Sequence, residues 1–200
     1  MSRSSRSLPS TLRFPRQAIG RKRSHSNHQL LLDFGEQAED YTIQLAVQET
    51  LESCFDEACR AEDQERWPEA IDAYRRALAL AGPHAVLSFN LGNALVTAGQ
   101  NVEAVQHYRQ ATVLRPDFCE AWNNLGVLLA EAGDAAGAEQ ALRQAVRLDP
   151  HCSDARYNLA DHLEQQGRNL EARPHWEAYL AADTASDWAT HARDRLRCST

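Results

Sequence analysis

Five cysteines stand in the 200-residue sequence, and none of them forms a C-x-x-C pair. The number is odd and the spacing irregular, which disfavours a disulfide framework or a thiolate metal site. Buried or half-buried thiols in a reducing, cytoplasmic setting are the expected state of Cys54, Cys59, Cys119, Cys152 and Cys198. Long apolar runs are missing too, because the longest candidate, residues 125–130, falls far short of a membrane span. No basic-then-apolar segment fits a secretory leader. Catalytic signatures are equally scarce: there is no G-x-S-x-G elbow, no phosphate-binding glycine loop and no H-E-x-x-H among the eight histidines. Acidic pairs such as Asp161 and Glu164 are accounted for by a solvated helix face. A non-catalytic protein with no cofactor and no metal is therefore expected. Glycines number only nine, while alanine and leucine dominate the second half, so the composition favours helices throughout.

Acids are absent from one stretch of the chain. Residues 1–32 hold Arg3, Arg6, Arg13, Arg16, Arg21, Lys22 and Arg23 and no acid, leaving 14 basic and all 28 acidic residues to the remainder. A basic tail is joined to an acidic body. The tail, residues 1–28, is rich in serine and arginine and short of apolar residues, a composition expected to stay disordered. Its arginines suit phosphate contacts that are salt-sensitive and carry no sequence information. Its acid-free, Ser/Arg-rich character also matches a transit peptide, although its apolar residues form no clean helical face.

What the sequence does contain is a period. Asn90-Leu91, Asn124-Leu125 and Asn158-Leu159 return every 34 residues, and Gly99, Gly133 and Gly167 keep the same spacing. So do Ala70, Ala104, Ala138 and Ala172, the larger Tyr74, Tyr108, Leu142 and Trp176, and the small Ala77, Ala111 and Ala145. Large and small residues at fixed phase let facing helices interdigitate. Pro116 and Pro150 close two copies at one phase, where a residue without an amide donor ends a helix. Each copy reads as helix, tight turn, helix, and copies that cannot bury a face alone must stack into a solenoid.

These landmarks resemble the tetratricopeptide repeat, with its W-x-x-L-G, A, F/Y, A and P positions. Residues 119–152 match best, through Trp122, Leu125, Gly126, Gly133, Ala138, Leu142, Ala145 and Pro150, and residues 85–118 follow. Residues 153–186 are degenerate, with Ala160 for glycine, Tyr179 for alanine and Thr184 for proline. Residues 51–84 are degenerate as well, with Glu57 for leucine and Glu65 for glycine. The implied fold is an all-α solenoid of about four repeats over residues 51–186, preceded by a linker and lead-in helix over 29–50 and closed by a capping helix over 187–200. Ser186 or Asp187 suits the N-cap of that helix, with Trp188 an inward anchor.

In the family, the first helix of each repeat lines a concave groove, so the resemblance places Asn90, Asn124 and Asn158 there as a ladder. Amides both donate and accept, which suits the backbone of an extended peptide. The same amides can instead hydrogen-bond between helices of the scaffold. Phe89, Asn93, Asn123, Tyr157 and Asp161 are expected one turn away, and the acids among the groove residues favour a neutral or basic peptide. The groove departs from the carboxylate-clamp subgroup, having Phe89, Asp154 and Asn158 where that subgroup uses basic residues. The implied function is a protein-interaction scaffold for a protein or peptide partner, with the chain's own tail as an intramolecular candidate. The competing reading is a regulatory adaptor that contacts nucleic acid through its N-terminal segment. Residues 29–36 resemble the linker that joins MerR-like DNA-binding domains to such repeats, though no helix-turn-helix pattern precedes them.

Overall fold

A computed structural model describes the backbone over residues 41–198 and the side chains over residues 50–197. The basic segment 1–28 and the 29–40 stretch lie outside the described residues. Among the described residues, nine helices follow in order: α1 (Tyr41–Asp63), α2 (Trp67–Ala81), α3 (Ala85–Thr97), α4 (Asn101–Leu114), α5 (Cys119–Glu131), α6 (Ala135–Leu148), α7 (Ser153–Gln165), α8 (Asn169–Ala182) and α9 (Asp187–Cys198). They pair as antiparallel hairpins α1/α2, α3/α4, α5/α6 and α7/α8, and the second helix of each hairpin packs on the first helix of the next. The solenoid expected from the period is the observed architecture.

The hairpin turns show why the period is so strict. Gly99, Gly133 and Gly167 have φ of 76°, 83° and 74°, the left-handed conformation that a Cβ penalises. Each turn is closed by the same bond to the carbonyl five residues back: Gln100 to Leu95 at 2.8 Å, Asp134 to Leu129 at 2.9 Å and Arg168 to Leu163 at 3.0 Å. This is the Schellman closure, which satisfies carbonyls that a helix end otherwise leaves open. The first repeat makes it too, from Arg66 to Ala61 at 2.8 Å, with Glu65 held at φ 56°. The missing glycine thus leaves the turn intact and adds backbone strain to it.

Within each hairpin a small residue faces a large one. A Cβ placed on Gly92 would lie 2.6 Å from Tyr108 Cε1, and one on Gly126 would lie 2.6 Å from Leu142 Cγ. Ala58 and Ala160 occupy the same phase, both fully buried, in the hairpins that contain buried Tyr74 and Trp176. The leucine column Leu91, Leu125 and Leu159 is also buried, as are Ala70, Ala104, Ala138 and Ala172. Glu57, which stands at the leucine phase in the first repeat, is instead exposed and pairs with Arg76 at 2.8 Å.

Two details refine the sequence expectation. The lead-in helix and the first helix of repeat one are a single helix, since α1 runs through residue 51 without a break. The capping helix α9 keeps the repeat phase: buried Ala189 lies 34 residues after buried Ala155. Ser186 caps it, its Oγ accepting from the Ala189 amide at 3.1 Å.

Candidate functional site

The first helices of three successive hairpins, α3, α5 and α7, are tied together by side-chain amides. Asn158 Nδ2 donates to Asn123 Oδ1 (2.9 Å), Asn123 Nδ2 to Asn124 Oδ1 (3.2 Å), and Asn124 Nδ2 to Asn93 Oδ1 (3.2 Å). The Tyr108 hydroxyl of α4 donates to the same Asn93 oxygen at 2.7 Å and accepts from Asn124 Nδ2 at 3.4 Å. Burial pushes the Tyr108 hydroxyl well above its ordinary pKa, so it remains a proton donor at neutral pH.

This chain of bonds divides the candidate amides into two kinds. Asn123 and Asn124 are 3% and 2% exposed, and both their oxygens and nitrogens are engaged. They serve the scaffold. Asn93 and Asn158 are half-buried chain ends, each with one half of its amide unengaged among the described residues: the nitrogen of Asn93 and the oxygen of Asn158. Asn90, also half-buried, makes no side-chain hydrogen bond among the described residues. Among the described residues Asn93 thus keeps an unengaged donor, Asn158 an unengaged acceptor and Asn90 both.

The aromatic candidates are packing residues. Phe89 lies against Phe118 and Tyr108, with ring centroids 4.7 and 5.9 Å away. Tyr157 is 7% exposed and sits edge-on to Trp176, Tyr179 and Trp188 at 4.9, 5.1 and 5.1 Å. Its hydroxyl meets His191 Nδ1 at 2.7 Å, and Arg195 donates to the other ring nitrogen at 3.1 Å. The role of His191 was not read from the sequence, yet it lies 34 residues after Tyr157, at the phase of Phe89 and Asn123.

α7 also carries Asp154 and Asp161. Burial raises the pKa of Asp154, which meets no basic side chain among the described residues. Burial also raises Asp161, against the pull of nearby His191 and of the Gln165 amide, which donates to it at 2.6 Å. They are half-buried carboxylates on the same helix as Asn158. The second helices carry a separate ionic network, in which Glu139 pairs with both Arg143 and Arg168, and Glu171 with the same two arginines. These are exposed or half-exposed contacts that align neighbouring repeats.

The tetratricopeptide repeat family model matches residues 55–117, 89–151 and 123–187, in the same register as the turns and small-to-large pairs. The chain belongs to the tetratricopeptide repeat family. No curated protein matches this tetratricopeptide repeat chain. Solved structures do. A crystal structure of MamA protein is 20% identical, with a TM-score of 0.70 over 76% of this chain and 81% of that one. YrrB, described as a TPR protein with an unusual peptide-binding site, is 22% identical, with a TM-score of 0.64 over 72% and 74%. The Sgt2 TPR domain from Aspergillus fumigatus is 22% identical, with a TM-score of 0.55 over 60% and 82%. At these identities the likeness concerns the fold. Tetratricopeptide repeats as a class are protein-interaction scaffolds, and among the described residues no helix is long and apolar enough to cross a membrane.

Proposed function

We propose that this chain is a non-catalytic scaffold that binds an extended, neutral or basic peptide along the face formed by α3, α5 and α7. The observation that carries this reading is the amide chain with saturated interior and open ends. Buried Asn123 and Asn124 hold the spacing between helices, while Asn90, Asn93 and Asn158 have the free donors and acceptors that a peptide backbone needs. Asp154 and Asp161 add the charge preference, since a cation from the ligand would offset their desolvation. That YrrB is described as having a peptide-binding site agrees with this reading.

An isosteric substitution tests it. Asn93→Asp keeps the oxygen that Tyr108 and Asn124 donate to and replaces the outward donor with an acceptor. On an array of neutral, basic and acidic peptides, the full-length wild-type chain should select neutral or basic sequences. The variant should bind the neutral sequences about tenfold more weakly, as expected for one net hydrogen bond of ~1 kcal/mol or slightly more. Equal binding by the two proteins would refute the role of Asn93.

The charge map supplies one intramolecular candidate. The segment 1–28 has seven basic residues and no acid, and so complements the acidic face. If it competes there, deleting residues 1–28 will tighten peptide binding at low salt. The same segment supports the adaptor reading, which predicts tail-dependent, salt-sensitive DNA binding. An absence of any tail-dependent DNA shift would remove that second reading.

A further inference from the structure

Cys119 opens α5 and Cys152 is the N-cap residue of α7, so the two cysteines stand at the same end of the first helices of successive repeats. Both pack on one apolar cluster around Ala145 and Ala155. Cys119 is 9% exposed and its thiol donates to the Ala145 carbonyl at 3.4 Å. Cys152 is half-buried, packs on the same cluster as Cys119, and its thiol interacts electrostatically with the Cys119 thiol. A half-buried thiol beside a buried second thiol is an arrangement in which oxidation of the first is resolved by the second.

We propose that Cys119 and Cys152 form a reversible disulfide that pins α5 to α7 when the protein meets a peroxide. The Cys152 thiolate attacks one oxygen of hydrogen peroxide, becoming a sulfenic acid, and the other oxygen leaves as water after taking a proton. Cys119 then attacks the sulfenic sulfur, the S–O bond breaks, and a second water leaves with the Cys119 proton. Two thiols lose two electrons in all, and one peroxide is reduced to two waters. The order of attack follows from exposure: half-buried Cys152 meets the peroxide first, and Cys119, 9% exposed, resolves the sulfenic acid.

The bond would fix the distance between two neighbouring first helices close to Asp154, two residues beyond Cys152. It would also close a loop of about 33 residues, long enough for substantial restriction of the unfolded chain.

The test treats the reduced full-length wild-type chain with hydrogen peroxide and maps its disulfides by mass spectrometry. The expected result is a peptide linking Cys119 to Cys152, reversed by dithiothreitol, with a Tm several degrees above that of the reduced protein. Cys54, Cys59 and Cys198 serve as internal comparisons. In Cys119→Ser, the Cys152 sulfenic acid should accumulate and be trapped by dimedone. Failure to recover the 119–152 linkage, or recovery of linkages to the other cysteines in equal yield, would overturn the proposal.

Discussion

Asparagine 124 illustrates how one residue type serves two purposes in this fold. Its amide bonds Asn123 on one side and Asn93 with Tyr108 on the other, at 2% exposure. Asn124→Leu would strand the buried Asn123 donor without an acceptor. The predicted loss is about 1–3 kcal/mol in urea unfolding, the cost of an unsatisfied buried polar group. A loss below ~0.5 kcal/mol would mean that the chain of amides contributes little to stability. Glu65 predicts a change of the opposite sign. It is a non-glycine residue at φ 56° in a turn where the other three repeats use glycine, so Glu65→Gly should stabilise the protein by about 1 kcal/mol. A lower Tm for that variant would contradict the strain argument.

Helices, rather than single residues, decide what the sequence made legible. The hairpins, their turns and the buried Leu and Ala columns follow from the period because each requirement recurs at the same phase in every copy. The division of labour among the asparagines does not. Asn90 and Asn124 share a phase and a residue type, yet Asn124 is drawn into bonds with Asn93 and Tyr108 while Asn90 makes none among the described residues. Phase reports which face of a helix a residue occupies, and the partner across the gap sets what it does there. The aromatic hub around Tyr157 was hidden for the same reason, because it needs α9 to be placed. Trp188 and His191 of α9 meet Tyr157, and Arg195 reaches Glu164 at 3.6 Å, an acid that also accepts from Trp176 at 3.2 Å. The cap should therefore be integral to the last repeat. Trp188→Ala is predicted to cost about 2–4 kcal/mol, somewhat below a fully buried tryptophan because Trp188 is half-exposed. Near-wild-type stability would show that α9 is dispensable to the stack.

Across the whole molecule, the acids of α7 set binding against stability. Burial raises Asp154 and Asp161 above the ordinary aspartate value, so folding favours their protonated forms. A raised carboxyl pKa destabilises the fold increasingly as pH rises above about 4, and the effect is absent below it. The Asp154→Asn, Asp161→Asn double variant should therefore melt higher than wild type at pH 7 and match it near pH 3. The same variant should bind basic peptides several-fold more weakly at low salt, with little change for neutral ones. Higher stability without weaker binding would separate these acids from recognition.

The central claim is that a peptide meets the open ends of the amide chain and leaves its buried interior untouched. Side-chain amide NMR of the full-length chain, titrated with the strongest-binding array peptide, addresses it directly. The account predicts that the Asn90, Asn93 and Asn158 side-chain resonances shift progressively, while those of Asn123 and Asn124 shift far less. Shifts confined to the second helices α4, α6 and α8, with Asn90, Asn93 and Asn158 unmoved, would contradict it.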